Sequence, residues 1–187
     1  MKIGVISDTH NPSVGELPPP EVATAFHGVD VIIHAGDIYI PSCLDWLESI
    51  APVYAVEMWA EQHFQQDPRV VNKRRVIQLE GHSIGIAHDL QVPGMIQEIT
   101  EYSPLAKHFP PDNDLGEALE SVFEEPVGIV IFGHTHYPIV EEYQGILMIN
   151  PGSPSLPKQR RRLGQIAILD IGPNHKTAEL VELSTYS

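Results

Sequence analysis

Six side chains of this 187-residue chain have the chemistry of metal ligands, and each stands where an apolar run stops. Asp8 and His10 follow the run 3–6, Asp37 follows 29–34, His88 closes 84–88, and His134 and His136 follow 127–132. Imidazole is the commonest side-chain metal ligand, and the end of a rigid strand is a good place to fix a coordination geometry. Within Asp8-Thr9-His10 and His134-Thr135-His136, the outer two side chains point to the same side if the backbone stays extended.

Mixed carboxylate and imidazole donors suit Mn, Fe, Zn and similar divalent ions, whereas an all-oxygen set would suit Mg or Ca. Six donors exceed what one catalytic zinc needs, but two ions sharing one carboxylate would use them all. Such a pair can polarise a phosphoryl oxygen and generate hydroxide near neutral pH, which points to phosphoester hydrolysis.

Short, β-branched runs punctuated by glycine and proline predict the strands that must deliver these groups. They cover 3–6, 29–34, 53–56, 70–79, 84–88, 127–132, 139–143, 146–149, 165–171 and 177–183, with a hairpin turn at 80–83. Helices are expected at 21–27, 41–50, near 94–102 and at 114–123, and the polar stretch 57–68 reads as irregular. Early alternation of β and α followed by a β-rich half suggests one α/β domain of two packed sheets with helices outside. Parallel strands in such sheets present their C-terminal ends on one edge, where ligand sites gather.

Composition removes other function classes. With 25 acidic against 11 basic residues and a net charge of -14, the chain lacks the basic surface that non-specific nucleic-acid or anionic-membrane binding requires. Cys43 is the single cysteine, so no intrachain disulfide or Cys-rich zinc module can form, and it reads as a small buried apolar residue. No apolar run approaches the ~18 residues of a membrane span and residues 2–7 do not resemble a signal peptide, so a cytoplasmic location is expected. Neither a P-loop nor a dinucleotide fingerprint is present.

The ordered set Asp8-Thr9-His10, Gly36-Asp37, His88, Gly133-His134-Thr135-His136 and Ile149-Asn150-Pro151-Gly152-Ser153 resembles the motif series of calcineurin-like metallophosphoesterases. More narrowly, the chain is similar to the small YfcE-type phosphodiesterases and their eukaryotic relative, a retromer subunit. The resemblance covers nearly the whole length and implies a four-layer αββα sandwich of two mixed β-sheets flanked by helices. It further implies two divalent ions (Mn, Zn, Fe or Ni): Asp8, His10 and His136 on one, Asp37 as the bridge, His88 and His134 on the other. A bridging hydroxide would attack a small phosphoester substrate, with Asp37 and His134 carrying the catalytic weight. Asn150 and Gly152 would support the site, and Asn11, beside the first motif, is a further candidate to support it or to contact substrate, as are Trp59 and Glu61.

The pattern breaks in one place above all. The family's Gly-Asn after the third strand, whose Asn ligates the second ion, falls on Met58-Trp59, and no Asn occurs between Asn11 and Asn72. Trp59 could pack over the site with water as ligand, Glu57 or Glu61 could supply a carboxylate, or the second ion could bind weakly or be absent. Asp89 replaces the Gly after the ligand His, Leu90 replaces a His, and Ala60 stands where larger members place a His that assists the leaving group. The alternative expectation is therefore a binding or scaffold protein of the retromer-subunit kind.

Elsewhere the readings are plainer. His34 is expected to order a strand end, while His27, His63, His82, His108 and His175 are expected in solvated or loop positions. Lys158-Gln159-Arg160-Arg161-Arg162 is a solvated loop or, alternatively, a phosphate clamp. Met95, Ile96 and Ile99 have helical spacing and are expected to face the core, while the segment 89–126 could also form a lid or a contact between copies in a homo-oligomer.

Overall fold

Strand β1 (Lys2–Ile6) is the seam of the first sheet. β2 (Val31–His34) pairs with it in parallel on one side, and β10 (Gln165–Gly172) pairs antiparallel on the other. β3 (Val53–Glu57) and β4 (Val70–Asn72) continue the parallel side, and β11 (His175–Glu182) forms the opposite edge. The second sheet has the order β5 (Arg74–Leu79), β6 (His82–Ala87), β7 (Ile129–Ile131), β9 (Ile146–Asn150), β8 (Ile139–Tyr143), with β6, β7 and β9 parallel. This computed structural model describes residues 1–100, 103–109, 111–155 and 163–186, with the side chains of Glu61 and His63 left aside.

Side-chain alternation sorts the core into layers. Ile3, Val5, Val31 and Ile33 of the first sheet meet Ile84, Ile86, Ile129 and Ile131 of the second. On the outer face of the first sheet, Ile6 and Ile32 pack against Val22 of α1 (Pro20–Ala25) and Cys43, Leu44 and Leu47 of α2 (Pro41–Glu48). On the outer face of the second, Val130 and Met148 meet Leu115, Leu119 and Phe123 of α4 (Leu115–Phe123). The result is an αββα sandwich, and strands covered on both faces explain why the sequence shows unbroken apolar runs rather than alternation.

Three expectations about secondary structure change. The run 70–79 is two strands, not one: Lys73 adopts φ 66°, and there the chain leaves the first sheet for the second. Both halves look equally strand-like, so local composition carries no sign of the switch. No helix covers 94–100, because Pro93-Gly94 makes a turn with Gly94 at φ 82° and the chain runs on irregularly. Ile99 is buried there, whereas Ile96 is 65% exposed, so the helical spacing does not describe one face. Finally, the expected irregular stretch contains the short helix α3 (Ala60–His63). His108 also departs from expectation: it is buried and paired with Ser103 and the Gln97 carbonyl. Among the described residues no helix is long and apolar enough to cross a membrane.

Candidate metal centre

The C-terminal ends of β1, β2, β6 and β7 meet at one rim. Asp8, His10, Asp37 and His136 each present one ligand atom there, all within 4.8 Å of one another. The Nε2 atoms of His10 and His136 face each other at 3.0 Å. His136 Nε2 lies 3.3 Å from Asp8 Oδ1, and His10 Nδ1 lies 3.5 Å from Asp37 Oδ2. His88 approaches the same carboxylate from the second sheet, its Nε2 3.5 Å from Asp37 Oδ1. Its Nδ1 donates to the Ala35 carbonyl at 2.8 Å, which leaves Nε2 of a neutral ring with its lone pair facing Asp37.

His134 is placed differently. Its ring stands 5.3 Å from that of His88, edge to face, and it groups with Asp89 and Glu98 through ligand atoms within 4.8 Å of one another.

The motif backbones are not extended. Asp8, His10, Asp37, His134 and His136 have φ of 56°, 50°, 57°, 70° and 59°, as does Tyr39 at 67°. Left-handed conformations at non-glycine residues cost about 1–3 kcal/mol each and persist only where surrounding bonds enforce them. Those bonds are present. Asp8 and His10 donate their N–H groups to the carbonyls of Gly36 and Asp37, both at 2.9 Å. The Asp8 carboxylate accepts the His134 N–H at 3.2 Å, and Ser153 Oγ donates to the Asp8 carbonyl at 2.8 Å. Asn150 ties the second loop: Nδ2 donates to the Gly133 carbonyl at 3.0 Å and to Thr135 Oγ1 at 3.2 Å, and Oδ1 accepts from Gly152 N at 2.9 Å. Gly36, at φ 100°, lies so close under the His88 ring that a β-carbon would clash, and one at Gly133 would strike Ser7 and Asp8.

His34 is buried and orders the strand end, as its position suggested. Its Nδ1 accepts from Gly36 N at 3.2 Å, and its Nε2 meets Thr9 Oγ1 at 3.1 Å. Burial pushes its pKa down to about 3, against the pull of Asp8. Burial also raises the Asp8 carboxyl, but the His136 hydrogen bond, the charges of His88 and His136 and the Ser7 hydroxyl bring it below its ordinary value. The Asp8 hydrogen bond lifts His136 above the usual imidazole range, while burial lowers His10 despite Asp37 and Asp8.

The remaining candidates separate clearly. Glu57 is 2% exposed and engaged with backbone: Oε2 accepts from Ile38 N and Oε1 from Met58 N, each at 2.8 Å. It braces the turn that carries Asp37 and is not in either ligand group. Trp59 is 60% exposed at the start of α3. The Glu61 side chain and the basic run 158–162 lie outside the described residues. Asn11 is buried, its Nδ2 donating to the Gly15 carbonyl at 2.6 Å, and it belongs to the loop rather than to the ligand group.

Sequence reasoning did not find Tyr39, Ser153 Oγ or Glu98. The Tyr39 hydroxyl sits 3.2 Å from His10 Nδ1, with its pKa raised by burial and then by Asp37. Its place two residues after Asp37 was the available signal. Cys43 is buried beside Thr9, and burial pushes its thiol up to about 11.

Residues 1–174 match the family model described as the calcineurin-like phosphoesterase superfamily domain. A probable metallophosphoesterase of Methanothermobacter thermautotrophicus is 33% identical over 159 residues, 84% of this chain and 80% of that protein. Zinc-complexed Vps29 of Entamoeba histolytica superposes with a TM-score of 0.62 at 22% identity, covering 98% of this chain and 99% of that one. An archaeal phosphodiesterase gives 0.58 at 20% identity, over 97% and 100%.

Proposed function

Because the chain belongs to the calcineurin-like phosphoesterase superfamily, we propose that it is a metal-dependent phosphodiesterase or phosphatase acting through two divalent ions. The observation that carries this reading is the convergence of Asp8, His10, Asp37 and His136, with His88 against the far side of Asp37. The donor set fits: two imidazole nitrogens 3.0 Å apart beside two carboxylates form a pocket that a cation satisfies better than a proton. In the proposed assignment Asp8, His10 and His136 hold one ion, Asp37 bridges, and His88 and His134 serve the second, with Mn, Zn, Fe or Ni as the candidates. Ions held there would supply Lewis acidity at a phosphoryl oxygen and a nucleophile at neutral pH.

The chain's own groups prepare that chemistry. Asp8 is kept ionised, and the Nδ1 bond to Ala35 fixes the His88 tautomer. His136 sheds the proton that Asp8 favours before it can ligate, so occupancy rises with pH. Position 60 offers a buried alanine in place of an acid, which directs activity toward small phosphoesters with good leaving groups.

The test is hydrolysis of bis-p-nitrophenyl phosphate by protein loaded with Mn or Zn. Asp37→Asn is expected to abolish turnover, and equal rates for wild type and variant would overturn the assignment. A second reading, a scaffold with a Vps29-like fold, is favoured by exposed Trp59 at the position of the family's Asn. Turnover at catalytic protein concentration, lost on chelation and restored by metal, rules it out.

A further inference from the structure

The segment after β6 places its side chains in an order that helps His134. Leu90 and Val92 are buried against the second sheet's outer core, and Ile99 is buried in the same cluster. Between these anchors the Pro93-Gly94 turn reverses the chain. The carboxylate of Glu98 is thereby brought back to that of Asp89, and both lie within 4.8 Å of a His134 ring nitrogen. Gln91 Nε2 donates to Asp89 Oδ2 at 2.8 Å, which restrains that carboxylate while its other oxygen stays available. Two like charges at this separation repel, and among the described residues neither has a Lys or Arg partner. A divalent cation relieves that repulsion and engages all three donors.

Among the described side chains, the other sources for the lost ligand are weaker. Glu57 is committed to the Ile38 and Met58 N–H groups, and Trp59 has no metal-binding atom. The cluster also abuts the expected second ion, because the His134 ring neighbours His88, whose Nε2 faces Asp37. We propose that Asp89 and Glu98, acting with His134, hold the second divalent ion in place of the family's asparagine. This assignment rests on the two-ion phosphoesterase reading. It exchanges a neutral amide for two carboxylates, so the second position prefers harder, oxygen-seeking Mn to Zn.

The experiment is a Mn titration of chelator-stripped full-length protein followed by electron paramagnetic resonance, with metal counted after dialysis. Wild type is expected to take two ions, and Asp89→Gly combined with Glu98→Ala to keep the first while weakening the second by roughly tenfold or more. Both positions lie outside the buried core, and circular dichroism verifies that the variant folds. A second ion of unchanged affinity in the double variant, or a wild type binding only one, overturns the carboxylate assignment. If two ions are hydrolytically competent in both proteins, the phosphoesterase reading survives that loss. If the second ion depends on the carboxylates but loaded wild type hydrolyses nothing, the assignment stands and the phosphoesterase reading fails.

Discussion

The two halves of the rim are built on different principles. Asp8, His10, Asp37 and His136 have side chains between 0% and 29% exposed, and their strained backbones are held by bonds from both sheets. Around His134 the neighbours are His88, Asp89 and the exposed Glu98, the two carboxylates carried on a segment anchored by scattered apolar residues. A donor set fixed before metal arrives binds with little reorganisation, while one on a surface segment acquires its geometry from the ion. The comparison predicts tight, pH-linked binding in the first half and, in the second, weaker binding that depends on the surface carboxylates.

Acid should separate them most sharply. His34, behind the first half, has its pKa lowered by burial to about 3, so the unfolded chain takes up protons near 6.5 that the folded chain refuses. Its contribution is therefore complete above 6.5 and disappears as pH falls toward 3; the loss by pH 5 is about 2 kcal/mol. His10 is shifted in the same direction and adds to the slope. His136 is shifted upward, so its contribution is present below 6.5 and fades as pH rises through its folded pKa, which opposes them. Asp8, lowered from 3.8, matters only at more acidic pH. Urea unfolding of metal-free protein from pH 7 to 5 should show a shallower slope for His34→Gln than for wild type. Parallel slopes would remove His34 from the buried support of the first half.

An effect of similar size tests the brace itself. Glu57→Ala removes both oxygens that accept the Ile38 and Met58 N–H groups in a site 2% exposed. Leaving two buried donors unsatisfied is expected to cost about 2–3 kcal/mol. Because Ile38 follows Asp37, first-ion affinity should fall with it, and Glu57→Gln should recover part of both. Unfolding free energy and metal affinity unchanged in Glu57→Ala would show that the Asp37 turn holds itself.

The contrast also explains what was legible from sequence. β1, β2, β3, β8 and β9 end within a residue or two of expectation, because buried strands with polar residues at their ends announce both core and rim. The first half was readable for the same reason: each of its residues follows such a strand. Lys73 was not, since which sheet a strand joins is decided by partners far along the chain. Glu98 was hidden by Ile96 and Ile99, whose spacing suggested a helix that the Pro93-Gly94 turn forestalls. The left-handed backbones at Asp8, His10, His134 and His136 come from bonds between loops, which no local pattern encodes.

The smallest expected effect concerns Trp59. It caps α3 without any side-chain bond to the helix and is 60% exposed, so its replacement leaves the core untouched. Asparagine is a favoured N-cap, and Trp59→Asn should raise unfolding free energy by about 0.5 kcal/mol. The same substitution returns the family's amide to its place. With Asp89 and Glu98 intact, second-ion affinity should move by less than about tenfold, because the carboxylates already satisfy the ion. In the Asp89→Gly, Glu98→Ala background the amide has a position to fill, and affinity should recover. Recovery there with little change in wild type identifies two alternative ligand sets for one ion, whereas an equal gain in both backgrounds means the carboxylates never occupied that role.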